Sequence, residues 1–344
     1  MSSPERYARQ VRFPPLGQAG QDRLSGGRAL LCGCGALGST AANILVRAGV
    51  GMLRIVDRDF VELSNLQRQT LFDESDAAAG VPKAVAAAEK LRAVNSSVTV
   101  EPIVADVHSG NVEQLCQGID LILDGTDNFE TRFLLNDAAV RHDLPWIYGG
   151  CVGDEGQTMT ILPGETPCLA CLIGECPPPG ATPTCVTAGI LGPIVGVIAS
   201  IQAMEALKIL SGHREAVSRH LTVVELWSQR IRQIDVSSSC RQADCAVCRR
   251  RDFAWLDGRK GNRTAVLCGR NAVQLSPAEQ SPSRSLDELA RRLEGVGRIT
   301  RNQFLLRLAV DRYELVIFAD GRTIVQGTDD ITTARAVYAM YVGS

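Results

Sequence analysis

The sequence has no excess of either charge: 36 Lys and Arg stand against 38 Asp and Glu, a formal charge of −2, so a polycationic face for nucleic acid or anionic lipid is excluded. It also lacks massed glycine, serine or proline, and 45% of its residues are apolar, which excludes disorder as the main theme. Met1 to Arg6 has no apolar stretch of the kind that directs export, so a reducing cytoplasm is expected. No hydrophobic run is unbroken for the length of a bilayer. The longest uncharged one, Thr187 to Met204, is interrupted by Gly189, Gly192, Pro193, Gly196 and Gln202, and reads as a buried or interface helix rather than a membrane span. Histidine is scarce, and His108, His142, His213 and His220 show no ligand spacing.

What is present is a long alternation. Its 344 residues are enough for about two domains at ~150 residues each. Short apolar runs at 28–32, 52–56, 98–104 and 121–123 are separated by helix-like stretches at 36–48, 82–94, 111–117 and 129–142. Strand–helix units in series predict a mainly parallel, doubly wound α/β sheet. Further strands near 146–149, 158–162 and 221–226 extend it, with a long helix over 193–211. A polar stretch over 251–262 reads as a linker between a domain at 1–250 and a small α+β domain at 263–344. That tail is expected to hold a helix over 286–293, strands at 304–310, 313–318 and 322–325, a turn at Asp320-Gly321 and a last helix over 331–341. No repeat and no catalytic constellation appears in it.

Gly33-Cys-Gly-Ala-Leu-Gly38 follows the first strand and opens the first helix, so backbone N–H groups and the helix dipole face an incoming phosphate. Asp57 lies nineteen positions after Gly38, where an acid accepts from ribose hydroxyls. The same fingerprint serves NAD enzymes, which keeps an oxidoreductase as a rival. Against it stand Asn65, Arg68 and Gln69 beyond the second strand and Lys83 opening the next helix, an amide–cation set suited to a triphosphate. Asp124 to Asn128 end the fourth strand beside the same cleft, and a carboxylate there could hold magnesium.

Eight ordered motifs carry a resemblance: Arg6 to Gln10, Gly33 to Gly38, Ser64 to Gln69, Gly80 to Lys83, Thr126 to Asn128, Pro167 to Cys171, Thr184 to Gly189 and Cys245 to Cys248. Together, over residues 5–248, they resemble the ThiF/MoeB/HesA family, bacterial relatives of ubiquitin-activating enzymes. The resemblance implies ATP-dependent adenylation of the C-terminal Gly-Gly carboxylate of a ubiquitin-like sulfur carrier such as ThiS or MoaD, for thiamine thiazole or molybdopterin synthesis. It implies that Arg68 and Lys83 neutralise the phosphates, Asn65 orients them, Asp57 holds the ribose, and Asp127, with Asn128 beside it, holds magnesium. Asp59 either assists or is a solvated loop residue. A homodimer is implied in which Arg9 reaches the partner's nucleotide, and a sulfur donor such as a cysteine desulfurase is a further implied partner. A non-catalytic subunit that only binds a ubiquitin-like protein is the third reading, and the intact phosphate clamp argues against it.

Cys168-x-x-Cys171 and Cys245-x-x-Cys248 supply four thiolates, the set for a closed structural zinc, although 74 positions separate the pairs. Two redox pairs are the rival on spacing alone; the resemblance implies one shared zinc. Cys185 follows the Gly- and Pro-rich stretch at 174–180, and both an acyl- or sulfur-transfer role and a structural one stay open. Cys34 reads as a small buried filler in the phosphate loop. Cys32, Cys116, Cys151, Cys176 and Cys268 read as core or loop residues, and Cys240 receives no ligand role.

Overall fold

The computed structural model describes residues 5–178, 181–185, 187–238, 244–261, 264–267, 271–275 and 285–343. Cys240, Cys268 and most of the 276–285 loop lie outside the described residues. The chain divides into two units, the first taking Met1–Pro177 with Gly189–Lys260 and the second Pro178–Ala188 with Gly261–Ser344.

In the first unit α1 (Ala8–Val11) and α2 (Gly17–Gly26) precede β1 (Arg28–Cys32), α3 (Ala36–Ala48), β2 (Met52–Val56), α4 (Glu74–Ala79), α5 (Lys83–Val94) and β3 (Thr99–Ile103). Then come α6 (Val112–Leu115), β4 (Leu121–Asp124), α7 (Phe129–Arg141), β5 (Trp146–Val152), β6 (Glu155–Ile161), α8 (Leu169–Ile173), α9 (Gly192–Leu210), β7 (His220–Glu225) and β8 (Arg230–Asp235). The sheet order is β3-β2-β1-β4-β5-β6-β7-β8. Strands β1 to β5 pair in parallel, as the strand–helix alternation requires, and β6 to β8 are added antiparallel. The central strands have no solvated face: Leu30, Leu31, Leu53, Ile55, Leu121 and Ile122 are all buried.

Two cores result, one on each sheet face. Leu45, Ala87, Leu91, Ile198 and Ala203 from α3, α5 and α9 build one, and Phe133, Leu135 and Ala138 from α7 with Trp146 and Leu169 build the other. Helix α9 is long and apolar enough to cross a membrane, yet half of that stretch is buried inside the protein. The strand order reverses between β1 and β4, and their carboxyl ends open the crevice where an α/β sheet holds ligands.

The second unit carries an antiparallel sheet of order β11-β12-β13-β14-β10-β9, formed by β9 (Thr264–Leu267), β10 (Ala272–Leu275), β11 (Arg298–Arg301), β12 (Leu305–Val310), β13 (Tyr313–Phe318) and β14 (Thr323–Gln326). Helices α10 (Leu286–Arg292) and α11 (Ile331–Tyr341) supply Leu286, Leu289, Ala334 and Val337 to a core with Leu306, Leu308, Leu315 and Val325. Asp320 and Gly321 form the expected turn, with Gly321 at φ +86° and the Phe318 N–H donating to the Arg322 carbonyl at 2.9 Å.

Candidate functional site

The loop after β1 is folded hard against the loop after β4. Gly33 has φ +86°, and a Cβ there would lie 2.6 Å from the Gly125 carbonyl oxygen; one on Gly38 would lie 2.0 Å from the Gly33 oxygen. Only glycine fits at either place. At Gly35 a Cβ would meet nothing nearer than Gln69 Nε2 at 3.9 Å, so the backbone at the head of α3 is open to close approach. No side chain caps α3, which leaves its first-turn N–H groups for an anion.

Asp57 closes the other side. Its Oδ2 accepts from the Cys34 N–H at 2.6 Å and its Oδ1 from the Asp59 N–H at 2.7 Å. Burial pushes this carboxyl up, Lys83 draws it back down, and the like charge of Asp59 raises it again. Lys83 is buried, with Nζ 3.3 Å from Asp59 Oδ2. The chain brings it there by pairing the segment after β2 with the start of α5: Val61 N–H donates to the Val81 carbonyl and Lys83 N–H to the Asp59 carbonyl, both at 2.9 Å. The site thus holds an ammonium beside two carboxylates in a sheltered cleft, where charge acts more strongly than in water.

Asn65 is buried in the 3₁₀ turn Leu63–Asn65, and its Oδ1 accepts from the Glu62 N–H. Arg68 is half-buried and folds back to donate to the Ser64 carbonyl at 2.9 Å. Asp127 is exposed in the loop that touches Gly33. Asn128 serves the fold, because its Oδ1 caps α7 by accepting from the Thr131 N–H.

Cys185 belongs to the second unit and is half-buried there. One sequence-derived residue lies away from the cleft within the first unit. Arg9 is exposed on α1, and the segment around it, which the sequence left without a place in its own domain, is seated on its own chain. Gln10 Nε2 donates to the Ala48 carbonyl at 2.9 Å, Arg6 to the Val94 carbonyl at 3.0 Å, and the Tyr7 hydroxyl accepts from Asn95 Nδ2 at 2.8 Å. These anchors stand at the C-terminal ends of α3 and α5, and α3 runs 13 residues from the Gly33–Gly38 loop. At 1.5 Å per residue that is about 20 Å, too far for Arg9 to serve its own loop.

Sequence reasoning missed the buried pair behind Asp127. Arg132 Nε lies 3.1 Å from Asp124 Oδ2, while Nη2 donates to the Thr126 carbonyl at 2.7 Å and the Gly149 carbonyl at 2.9 Å. Gln202 from α9 donates to the Asp124 carbonyl at 2.8 Å. Arginine in a helix pattern reads as a solvated face, so no local signal announces this inward fork.

The four expected metal cysteines converge. Their sulfurs lie within 4.8 Å of one another, with Cys168–Cys171 at 3.8 Å, Cys168–Cys245 at 3.7 Å and Cys171–Cys248 at 3.4 Å. A tetrahedron of Zn–S bonds of ~2.3 Å has edges of about 3.8 Å, so the cluster fits zinc. Hydrogen bonds to Cys171 and Cys248, and then burial, push the Cys168 thiol up, a bias that a divalent cation would reverse. Leu169 N–H donates to Asn136 Oδ1 at 2.8 Å, which fixes α8 on α7.

The stretch beyond Cys248 is packed rather than loose. Phe253 and Leu256 are buried, and Asp137 Oδ2 on α7 accepts from the Trp255 and Leu256 N–H groups at 2.9 and 3.3 Å. Burial pushes this carboxyl up to about 6, against the two N–H bonds and with help from the charges of Asp257 and Asp252. A raised carboxyl keeps its proton longer in the folded state, so its contribution to stability falls as pH rises from about 4 through 6. Asp137→Asn removes that titration while keeping an acceptor oxygen. Its stability relative to wild type should therefore rise by about 2 kcal/mol between pH 4 and pH 7 in urea unfolding. A difference that stays flat with pH refutes the assignment.

A family model described as the ThiF family matches residues 7–247. The chain belongs to the ThiF family. The sulfur carrier protein ThiS adenylyltransferase of Bacillus subtilis (strain 168) is 42% identical over 339 residues, 98% of this chain and 99% of that protein. The SAMP-activating enzyme E1 of Haloferax volcanii is 39% identical over 244 residues, 71% of this chain and 88% of that protein. Among solved structures, E. coli MccB with ATP superposes with a TM-score of 0.61 at 24% identity, over 71% of this chain and 74% of that one, a likeness of fold. The family match spans the doubly wound sheet with its Gly33–Gly38 loop and three of the four clustered cysteines, and it ends before the antiparallel sheet.

Proposed function

We propose that this ThiF-family chain transfers AMP from ATP to the C-terminal Gly-Gly carboxylate of a ubiquitin-like sulfur carrier, with release of pyrophosphate. The observation that carries the reading is the 42% identity, from end to end, with a ThiS adenylyltransferase, and it favours the thiamine thiazole side over molybdopterin. The activity is assigned to residues 1–250, with 263–344 as an appended domain, and to the cytoplasm. A carboxylate oxygen of the carrier bonds to the α-phosphorus as the bond to the pyrophosphate oxygen breaks. Two negative groups must meet, so the protein has to supply fixed positive charge and alignment rather than a strong base.

In this reading the N–H groups at Gly35 and Gly38 cradle the phosphates, Gly33 makes the tight turn while its own N–H donates to the Val56 carbonyl at 2.8 Å, and Lys83 and Arg68 neutralise the phosphate charge. Asn65 orients the phosphates, Asp57 takes the ribose, and Asp59 holds the Lys83 ammonium. Asp127 takes magnesium, positioned by the Asp124–Arg132 pair. Arg9 completes the clamp from a second copy in a homodimer; its distance from its own loop and the exposed Met204 on α9 support this. Zinc at Cys168, Cys171, Cys245 and Cys248 is structural and takes no part in the transfer. Cys185 keeps two roles open, a structural one and one in which its thiolate takes the carrier's acyl group from the adenylate with release of AMP, and a sulfur donor such as a cysteine desulfurase is a further proposed partner.

ATP–pyrophosphate exchange tests the reading. Exchange should require a carrier ending in Gly-Gly, and the carrier should gain the mass of AMP. Exchange of equal rate without carrier, or none with any Gly-Gly carrier, overturns it. Tight NAD binding without ATP binding would favour the oxidoreductase instead.

A further inference from the structure

Gln202 is a polar member of the buried stripe of α9, set among Ile198, Ala199, Ala203 and Ala206, and it is 1% exposed. Its Nε2 donates to carbonyls on two neighbouring strands, Asp124 on β4 at 2.8 Å and Ile147 on β5 at 3.2 Å. Its Oε1 is buried without a hydrogen-bond partner among the described residues. Methionine or leucine there would avoid the cost of burying that oxygen, so the amide's contribution lies in its two donors. Gly149 makes room for them, since a Cβ there would lie 2.5 Å from Nε2.

The place of these donors gives them a use. Strands β4 and β5 pair only through Ile122 with Trp146 and Leu123 with Ile147, so the ladder stops one residue short of the end of β4. Two side chains continue it from opposite faces of the sheet. One is Gln202 from α9; the other is Arg132 from α7, whose Nη2 joins the Thr126 and Gly149 carbonyls. On the far side of β4, the Gly125 N–H donates to the Cys32 carbonyl at 2.8 Å. The end of β4 is therefore held toward β1 by backbone and toward β5 by side chains, and the residues that follow form the loop carrying Asp127.

We propose that Gln202 is a positioning residue for the cleft. With Arg132 on the opposite face it fixes the end of β4, and through it the loop from Gly125 to Asp127, an inference that rests on the adenylation reading above.

Amide hydrogen exchange of the full chain without nucleotide, and calorimetric titration with ATP over a series of magnesium concentrations, test it. Gln202→Met keeps the length of the side chain and removes the donors; Gly149→Ala keeps the glutamine and displaces it. In both, the peptide over 121–131 should exchange about tenfold faster, the scale of one buried carbonyl left without its donor, while β1 and β2 stay at the wild-type rate. The magnesium concentration for half-maximal ATP binding should rise by a similar factor. Ile198→Ala, a loss of packing from the same helix, should lower Tm and leave both readouts unchanged. Unchanged exchange over 121–131 in the two variants, a magnesium requirement that does not move, a rise spread evenly over the sheet, or the same local rise in Ile198→Ala overturns the inference. Failure of the wild-type chain to bind ATP would strike the adenylation reading instead, a result separate from the exchange measured without nucleotide.

Discussion

Arg9→Ala and Lys83→Ala chains are each expected to lose two to three orders of magnitude in carrier-dependent ATP–pyrophosphate exchange, and a mixture of the two is expected to recover activity. The loss follows from what one preorganised donor is worth in a sheltered site, about 3 kcal/mol or more. Lys83 is buried beside Asp59 and also lowers the pKa of Asp57, so its removal deprives the phosphates of a cation and leaves two carboxylates unbalanced. The recovery follows from geometry. Arg9 cannot reach its own nucleotide loop along the length of α3, so any contribution must come from a second copy. In a mixed dimer one cleft has an intact Lys83 and receives an intact Arg9, while the other has neither. Equal mixing with free exchange of subunits should restore about a quarter of wild-type activity in a symmetric dimer. Arg68→Ala and Asp127→Ala should be as impaired as the parents; each should complement Arg9→Ala as Lys83→Ala does, and neither should complement Lys83→Ala, because these side chains come from the same chain as the loop. Mixtures that stay at the parental level although mass analysis proves subunit exchange would remove Arg9 from the site.

The parts of this architecture that are legible in the sequence are those whose period is enforced by burial. Strands β1, β2 and β13 and helices α3 and α11 fall where the apolar pattern places them, because each packs its apolar residues into a core. Strand β8 gives no such signal: every residue from Arg230 to Asp235 is exposed, so nothing distinguishes it from a polar loop until β7 pairs with it. The short edge strand β11, Arg-Ile-Thr-Arg, is hidden for the same reason, and its charges are what an edge strand needs to avoid pairing with another molecule. At the site, the glycines, Asp57 and Lys83 are readable because each is tied to a position in the strand–loop–helix unit. Arg132, Asp137 and Gln202 are not, since their partners are 8 to 119 residues away in sequence and only the fold brings them together.

Substituting Cys171 or Cys248 by serine is expected to remove zinc and to destabilise the protein in the same step. The four sulfurs come from two segments 74 positions apart, α8 with its preceding residue and the turn at 245–248, so the ion would close a long loop as well as satisfy four thiolates. Cys168 and Val247 lie in the core built on α7, with Phe253 and Leu256 close behind. Loss of a ligand should therefore loosen the whole stretch that follows, not the cluster alone. A loss above about 4 kcal/mol is reserved for events such as the loss of a metal, and at about 2–4 °C per kcal/mol for a domain of this size it lowers Tm by about 10 °C or more. Metal analysis should give one zinc per chain for wild type and far less for either variant. Chelation of the wild-type protein should reproduce the drop in Tm. Cys185→Ser is the control, since its residue lies in the other unit: it should keep full zinc content and the wild-type Tm. Full zinc in Cys171→Ser and Cys248→Ser, or its loss in Cys185→Ser, would mean that a different set of cysteines holds the ion.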